Sequence, residues 1–493
     1  MDVTRRNFVA AAAVAGVAAN AGIALAGETQ TVVECDIAIV GAGGSGLAAA
    51  VEAAEAGVKV VVLERMPYAG GGELGVEGIF AVNSSMQQAE GIELSAGELV
   101  KAELVASQQR ANGPAYVDLV HATGANIDWL IEHGVTFEGV DADTGVLKLF
   151  HRFEGDSGAV GYVPAMEEAA RAAGAEFIFD CLADELVMDV SGTVCGILAT
   201  DKDGNRIQVN ASKGVIVATG GFAEDFEMVA ENGFNIANCN YVGMKGHDGT
   251  SHRMLVAAGA KSIRERTAYL AACSVKDLPD FFHDGRFSFL IGVASPFALW
   301  VDGNGERFHN EDFAGGNVML MTLPTRGNSD TNVVFDATTM DIYTGGDPVA
   351  LEQLQMGLDN GEIRCADTLE ELAELMGVPV ENFGTTVTRY NAMCEAGVDE
   401  DYGKPAELLI PIAQSPFYAV HITIDVQVSI GSVATDRSFR ALDNSGAPIE
   451  GLYVTGVEGA MLWANVYTMN IAGGCNANNI NSGRVAVRHA LAR

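Results

Sequence analysis

Basic residues are scarce in this chain. Its 493 residues include 29 Lys and Arg against 65 Asp and Glu, which gives a formal net charge of −36. A surface of that sign repels phosphate backbones and anionic membranes, so nucleic acid is not an expected partner. We interpret the acidity first as a well-solvated surface, because net charge bears on solubility before it bears on function.

Motifs that hold metals or haem are also missing. The eight cysteines include no CxxC, no CxxCH and no close Cys/His cluster, which disfavours iron–sulfur, haem c and structural zinc sites. An even number of cysteines in an exported protein allows disulfides. Folding in a reducing cytoplasm before export favours buried thiols instead. No metal is therefore predicted, and the state of the cysteines stays open.

Long apolar runs are absent outside the N-terminus. There, Arg5 and Arg6 precede a mildly apolar stretch at residues 9–25, and residues 24–26 read Ala-Leu-Ala. This combination is typical of a twin-arginine export signal with a small-residue cleavage site. We expect a signal peptide over residues 1–26, export to the periplasm or cell envelope, and a mature protein that is not integral to the membrane. A disordered or interfacial N-terminal helix is the alternative.

A complete dinucleotide-binding unit follows. A β-rich run leads into a glycine turn at residues 41–46, an alanine-rich helix and a second apolar strand that ends in Glu64. Gly41 permits the tight turn, Gly43 lets the backbone approach a pyrophosphate, and Gly46 lets helix and strand pack closely. The helix start attracts phosphate. Glu64 is placed to accept ribose hydroxyls, which disfavours NADP.

The rest of the chain divides around this unit. Residues 98–137 have a helical pattern, and residues 177–221 alternate short apolar runs with turns, which predicts a small antiparallel sheet that returns to the parallel one. Residues 245–428 are more irregular. We predict an α/β fold in which residues 35–244 and 429–493 form a Rossmann-like domain and residues 245–428 form an inserted α+β domain.

Several motifs in this order resemble the fumarate reductase/succinate dehydrogenase flavoprotein family, which also includes relatives such as the 3-ketosteroid dehydrogenases and urocanate reductases. The matching segments are residues 41–46, 64–67, 70–72, 128–130, 218–222, 246–249, 305–311, 416–419 and 451–453. The resemblance implies a non-covalent FAD in a Rossmann-like FAD-binding domain, with the inserted domain as a cap over flavin and substrate. It also implies hydride exchange between flavin N5 and an activated C=C or CH–CH bond.

The resemblance further implies which residues contact FAD. They lie in the glycine turns, at strand ends and at the start of the last helix: Gly41, Gly43, Gly44, Ser45, Gly46, Glu64, Arg65, Gly71, Gly72, Ala183, Thr219, Gly220, Asp248, Glu458, Cys475 and Asn476. Two positions depart from the family pattern. Gly72 stands where Asn is more usual, and Val457 precedes Glu458 where the family has Gly.

The substrate-binding residues of the fumarate reductases are missing. Their arginine acid corresponds to Gly315, and their clamping histidine falls in residues 427–432, where no histidine occurs. Residues 467–470 lack the carboxylate-binding arginine, and the proton-relay glutamate and arginine correspond to about Ile291 and Ala294. Two carboxylates buried without partners would cost several kcal/mol per ion. We therefore do not expect fumarate as the substrate.

Aromatic residues are expected near the substrate instead: Phe281, Phe282, Phe287, Phe289, Trp300, Trp463 and Tyr467. Core packing explains most of them equally well. Tyr467 is the candidate catalytic residue, because it falls where the related 3-ketosteroid dehydrogenases have a catalytic tyrosine. The histidines at 247, 252, 283, 309 and 421 are interpreted as structural.

These features predict an FAD-dependent reductase or dehydrogenase that acts on a largely neutral unsaturated substrate. No haem motif and no second Rossmann unit is visible, so a reductase would take electrons from a separate donor such as a cytochrome, a setting typical of anaerobic respiration. Two alternatives stay open. One is a catalytically inactive flavin-binding or electron-relay paralogue, and the other is an FAD oxidase.

Replacing Arg5 and Arg6 together by Lys should leave the precursor in the cytoplasm, because the paired guanidinium groups are the recognised feature of the signal. Cell fractionation of the double variant beside the unchanged precursor measures this. Export that is equal for the two proteins would contradict the interpretation of residues 1–26.

Overall fold

Seventeen strands and fourteen helices make up the described part of the chain, which in this computed structural model comprises residues 29–142, 147–275, 296–312, 318–327, 330–346, 348–468 and 471–493. The strands are β1 (Thr29–Val40), β2 (Val60–Leu63), β3 (Gly78–Phe80), β4 (Phe137–Asp141), β5 (Phe150–Phe153), β6 (Glu176–Ile178), β7 (Cys181–Met188), β8 (Val194–Asp201), β9 (Arg206–Val217), β10 (Cys239–Tyr241), β11 (Ala268–Ser274), β12 (Leu299–Val301), β13 (Thr331–Asp336), β14 (Ile363–Ala366), β15 (Phe417–Ile430), β16 (Arg440–Leu442) and β17 (Pro448–Val454).

The helices are α1 (Gly44–Glu55), α2 (Ser85–Ala89), α3 (Ala96–Ala106), α4 (Gly113–Glu132), α5 (Gly158–Gly161), α6 (Val163–Ala172), α7 (Phe226–Ala230), α8 (Thr250–Ala257), α9 (Val318–Thr325), α10 (Ala337–Thr344), α11 (Pro348–Asn360), α12 (Leu369–Met376), α13 (Val380–Ala396) and α14 (Gly474–Leu491). Short 3₁₀ turns occur at Gly71–Gly75, Glu154–Asp156, Ile236–Asn238, Arg264–Arg266 and Ala406–Leu408.

The larger sheet is built around five parallel strands, β17, β9, β1, β2 and β6. Its order is β16-β17-β9-β1-β2-β6, and β1 pairs in parallel with both β2 and β9, while β17 pairs in parallel with β9. All four residues of β2 are buried, as expected of a strand covered on both faces. β7 and β8 extend β9 as an antiparallel ribbon, which confirms the small sheet predicted between residues 177 and 221.

Two helices cover one face of this sheet at very close range. α14 packs on α1, and a Cβ atom on Gly483 would lie 2.3 Å from the backbone oxygen of Ser45. Only glycine fits at that contact. The packing places the first turns of both helices next to the carboxyl ends of the parallel strands.

A second sheet is built from the later part of the chain. Its order is β10-β15-β13-β12, with β11 and β14 also paired to β15. The predicted α/β class with an inserted α+β part is therefore confirmed. The second sheet already begins at Cys239 and runs on to Ile430, so it extends a few residues beyond both predicted boundaries, 245 and 428. A third, three-stranded sheet has the order β3-β5-β4.

Some predictions concern residues outside the described ranges. They are the signal peptide at 1–26, the aromatic residues Phe281, Phe282, Phe287 and Phe289, the histidine His283, and the family positions Ile291, Ala294 and Gly315. Within the described ranges, no helix is both long and apolar enough to cross a membrane. The eight cysteines all lie in described residues and are free thiols.

A buried ion cluster links the segment after β12 to the segment after α13. The Arg307 guanidinium donates to Glu311 Oε1 and Oε2 at 2.8 and 2.7 Å and to Asp399 Oδ2 at 2.8 Å. The Lys404 ammonium lies 3.5 Å from Glu311 Oε2 and donates to the backbone oxygen of Ala298 at 2.9 Å. The segment 305–311 that suggested the family thus acts as a structural clamp in this chain.

Arg307→Met should lower the free energy of unfolding by about 3–5 kcal/mol, because it leaves two buried carboxylates without their shared cation. Thermal and denaturant unfolding of the holoprotein measure the change. Arg389→Met is the matched control, since its partner Asp401 and the guanidinium itself lie in solvent. Equal losses in the two variants would contradict the clamp.

Candidate active site

A cavity of about 730 Å³ lies at the carboxyl edge of the parallel strands. Its walls come from the turns that follow β1, β2, β9 and β17, from the start of α14, and from the β11 and β15 residues Leu270, Gln427, Val428 and Ile430. The volume is within the range of about 300–1,000 Å³ that is usual for ligand and cofactor sites. The two larger sheets therefore share one site between them.

One end of the cavity is an anion-binding turn. Gly41 has a φ of +99°, and a Cβ atom there would lie 2.5 Å from the backbone oxygen of Ala218, so only glycine is accommodated. Gly43 bridges to Gly70 and brings the Gly71–Gly75 turn against the start of α1. The first turn of α1 contains no acidic side chain. Its N–H groups and positive dipole end are therefore available to a phosphate.

Glu64 closes the end of β2. Its carboxylate accepts the N–H of Ala42 and the N–H of Met66, each at 2.8 Å, and so ties the strand end to the glycine turn. Burial raises its pKa, although these hydrogen bonds and Arg65 oppose the shift. Each carboxylate oxygen can accept more than one hydrogen bond, so a ribose hydroxyl can still be bound there.

The next residue pairs with the turn before α8. Arg65 donates to Gly246 O at 2.7 Å and to Asp248 Oδ2 at 3.1 Å. The His247 ring lies against Gly220, where a Cβ atom would be 2.4 Å from its Nε2. Burial lowers the pKa of His247 to about 4, so the ring is neutral at physiological pH. His247 lines the cavity, but it is not a cation there.

Unpaired polar atoms mark the opposite end. Asn476 Oδ1 and Asn479 Oδ1, in the first turns of α14, and Gln427 Oε1 on β15 are buried without a hydrogen-bond partner among the described residues. All three residues line the cavity. Burying such atoms without a partner costs about 1–3 kcal/mol each, so they indicate a ligand with hydrogen-bond donors. Burial raises the pKa of the neighbouring Cys475 thiol to about 12, which keeps it protonated.

Tyr467 lines the cavity and belongs to an apolar cluster that includes Ile430 and packs against Leu270 and Val428. The Trp463 ring packs edge-on against it, with 4.9 Å between ring centroids. Tyr116 packs on the far side of Trp463 at 6.1 Å. Burial raises the pKa of Tyr116 well above its usual value, and the nearby Glu103 and Tyr467 add to the shift.

The family match agrees with this geometry. The FAD binding domain family matches residues 36–465, which is most of the chain. The chain belongs to this family. Its cofactor is accordingly FAD, and the predicted FAD-dependent oxidoreductase of the fumarate reductase flavoprotein type is confirmed.

Individual proteins of this type are similar over nearly the whole chain. A vinyl phenol reductase of Lactiplantibacillus plantarum is 29% identical over 474 residues, which cover 92% of this chain and 96% of that protein. A fumarate reductase (cytochrome) of Shewanella frigidimarina is 28% identical over 465 residues, 92% of this chain and 76% of that one. A 3-ketosteroid-Δ4-(5α)-dehydrogenase structure from Rhodococcus jostii RHA1 has a TM-score of 0.72 at 23% identity, covers 94% of this chain and 98% of that one, and supports the fold alone.

The described residues fit FAD on chemical grounds. The α1 start offers N–H groups to the pyrophosphate, and the glycine turns leave the backbone open beside it. The unpaired oxygens of Gln427, Asn476 and Asn479 suit a ring system with N–H donors. Every predicted FAD-contact residue except Gly46 and Glu458 lines the cavity.

Glu458 and Gly46 do not line the cavity but lie next to residues that do. The Glu458 carboxylate is fully buried and accepts the Gly221 N–H at 2.8 Å, the Ser251 hydroxyl at 2.9 Å and the Ser432 hydroxyl at 2.5 Å. It thus joins the turn after β9, helix α8 and the segment after β15. A Cβ atom on Gly46 would lie 1.9 Å from Gly41 O, so Gly46 serves the close packing of α1 on β1.

Of the described aromatic and histidine residues that the sequence singled out, Tyr467 and His247 line the cavity and the others do not. Trp300 is buried in the core of the second sheet, and Trp463 supports Tyr467 from behind. His252 bonds to Ser432, and His309 and His421 have nearby partners, as expected of structural histidines. His247 differs, because it faces the cavity.

Sequence reasoning missed three residues at the site: Glu73, Gln427 and Asn479. Asn479 lies one helical turn beyond the predicted Asn476, so helical spacing was a usable signal. Glu73 stands inside the predicted glycine turn. Gln427 stands in residues 427–432, where the resemblance places the clamping histidine, but no contact was assigned to it; the pairing of β15 with β11 brings it to the cavity.

Gly43→Val should weaken FAD binding without unfolding the chain. Gly43 has an ordinary φ of −80°, and the nearest atom to an added Cβ is Gly70 O at 3.6 Å, so the side chain would project into the cavity. We expect FAD affinity to fall by at least about tenfold, or 1.4 kcal/mol. The flavin content and circular dichroism of the purified variant measure this.

Gly97→Val is the control, because a Cβ atom there meets nothing within 4 Å and the position is remote from the cavity. The control should retain FAD and its yellow colour. Full flavin content in the Gly43 variant would contradict this position for the pyrophosphate.

Proposed function

We propose that this chain is an FAD-dependent reductase that saturates the C=C bond of a small neutral substrate with an aromatic or similarly apolar body. Vinylphenols are the class to test first. The observation that carries the proposal is the wall around Tyr467, where the described residues supply apolar groups and a phenol. The similarity to a vinyl phenol reductase over 96% of that protein supports the same class.

The distribution of charge in the cavity supports a neutral substrate. Among the described lining residues, the Lys, Arg and His side chains are Arg65, Lys245 and His247, and they follow β2 and precede α8. Residues 427–432 and 467–468 supply none. The described residues beside Tyr467 would leave a dicarboxylate desolvated without a cation, which costs several kcal/mol per ion. A neutral substrate avoids this cost, and the Gln427 amide can orient it.

Bound FAD supplies the hydride that the chemistry requires, and the side chains supply orientation and a proton. The Tyr467 hydroxyl donates a proton to the second carbon of the double bond, or a hydrogen bond to negative charge that develops on the substrate. Trp463 fixes the Tyr467 ring. The start of α14 directs backbone N–H groups and a positive dipole end into the cavity, which stabilises negative charge there.

The electron donor is a separate protein in this proposal, and the enzyme works outside the cytoplasm. One relative is named fumarate reductase (cytochrome), which supports a cytochrome as the donor class. The Arg5-Arg6 pair and the apolar stretch after it support export with the cofactor already bound. Cell fractionation of the Arg5 and Arg6 double variant tests the export, independently of the electron donor.

The proposal is tested by reducing the holoprotein with dithionite under anaerobic conditions and adding single substrates. We expect 4-vinylphenol to reoxidise the flavin much faster than fumarate, with cinnamate, enones and urocanate as further members of the panel. Fast reoxidation by fumarate would overturn the neutral-substrate assignment. Fast reoxidation by oxygen alone would indicate an oxidase, and no response to any compound would indicate a flavin-binding protein.

Tyr467→Phe should lower turnover by about 10²-fold, the usual effect of losing a general acid, with FAD retained. Stopped-flow reoxidation of the reduced holoprotein by the active substrate measures this, and absorbance measures the flavin content. Tyr453→Phe is the matched control, because it removes a buried hydroxyl that bonds to His489 Nδ1 at 2.9 Å away from the cavity. Unchanged turnover in the Tyr467→Phe variant would mean that another group donates the proton.

A further inference from the structure

A buried carboxyl group lies between the starts of the two helices that form the cofactor site. Glu73 belongs to the Gly71–Gly75 turn, lines the cavity and is 3% exposed. Its Oε1 accepts the Asn476 Nδ2 at 2.9 Å. Its Oε2 lies over the first turn of α1, where a Cβ atom on Gly44 would be only 2.2 Å away. One carboxyl group therefore touches both α14 and the phosphate-binding end of α1.

Among the described residues, no cation balances the Glu73 carboxyl group. No Lys or Arg in the described chain forms an ion pair or a hydrogen bond with Glu73. The titratable groups that face it are Tyr162, whose hydroxyl donates to Gly44 O at 2.7 Å, and Cys475 on α14. Burial raises the pKa of each, so both are neutral near pH 8. Other carboxyls that line the cavity include Glu77, which is exposed, and Asp156, which pairs with Arg152. Arg484 is engaged by Glu52.

Burial and the neighbouring helix starts change the pKa of Glu73 in opposite directions. Burial raises its pKa to about 8, and the Asn476 hydrogen bond only partly offsets this. The starts of α1 and α14 favour negative charge, but the same α1 start is the place for the anionic pyrophosphate. When the pyrophosphate is bound, an ionised Glu73 would be a second negative charge beside it. Like charges at such short range raise a carboxyl pKa further.

We propose that Glu73 is a cofactor-binding residue that must be protonated when FAD is bound, so that FAD binding above neutral pH takes up one proton. The neutral carboxyl keeps its Asn476 contact and offers an O–H donor to the cofactor side. This inference rests on the FAD site alone and does not depend on the substrate proposed above.

The affinity for FAD should fall as the pH rises through the pKa of Glu73. A carboxyl group with a raised pKa is protonated below that pKa, where FAD meets a neutral Glu73 and its affinity is constant. Above it, each binding event must also bind a proton, so the affinity falls as the pH rises. With a pKa of about 8 in the free protein, the dissociation constant should increase about tenfold between pH 7 and pH 9.

The test dilutes the holoprotein at pH values from 6.5 to 9 and measures released FAD by its fluorescence, which gives the dissociation constant without any turnover. Wild type should show the tenfold rise. Glu73→Gln mimics the protonated form and should give a nearly flat profile. Glu93→Gln, which removes an exposed carboxyl that does not line the cavity, should keep the wild-type rise.

Two outcomes would overturn the proposal: a flat wild-type profile, or a Glu73→Gln profile that rises as steeply as that of the wild type. The first is read on the unmodified protein and so does not depend on the variant folding. A second measurement uses the full chain after reversible removal of FAD. Rebinding at pH 8.5 in weak buffer with a pH indicator should consume most of one proton per FAD, and no uptake would contradict the assignment.

Discussion

The parallel pairing of β1 with β2 on one side and β9 on the other fixes the position of the cofactor-binding turns. Val40 pairs with both Leu63 and Val217, and Val217 pairs with Val454, so four strands end at one level. Backbone hydrogen bonds set that register, and the buried apolar faces prevent it from slipping. The glycine turn, Glu64, the Thr219–Gly221 turn and the Gly456 turn then meet because each follows one of these strands.

Glu458 connects the ends of these strands to the second sheet. Its carboxylate accepts hydrogen bonds from the turn after β9, from α8 and from Ser432 after β15. Burial raises its pKa, while the donors around it oppose the shift. Because the group is fully buried, each donor is needed to offset its desolvation. A side chain predicted to touch FAD thus serves the site by holding the walls together.

The sequence was sufficient for those parts of the site that are local in the chain. The glycine turn, Glu64 and the α14 start follow from short motifs whose geometry is set by a strand, a turn and a helix start. Gln427 and the place of Glu458 could not be derived in that way, because they depend on β15 pairing with β11 and on contacts more than 200 residues apart. The limits of the second sheet, at Cys239 and Ile430, could not be derived from the sequence for the same reason. β10 joins β15 across some 185 positions, and nothing near residue 239 indicates that pairing.

The buried carboxyl groups show how an acidic chain can hold an anionic cofactor. Glu64, Glu73, Glu103 and Glu458 are all buried, and burial raises the pKa of each. Their described hydrogen-bond partners are backbone N–H, hydroxyl and amide groups, while the buried ion cluster at Arg307 lies away from the cavity. A guanidinium near the flavin would favour charged substrates and ionised acids alike. At Glu73 the donor is the neutral Asn476 amide, so a proton can take the place of a cation there. The cavity around Tyr467 stays suited to a neutral substrate.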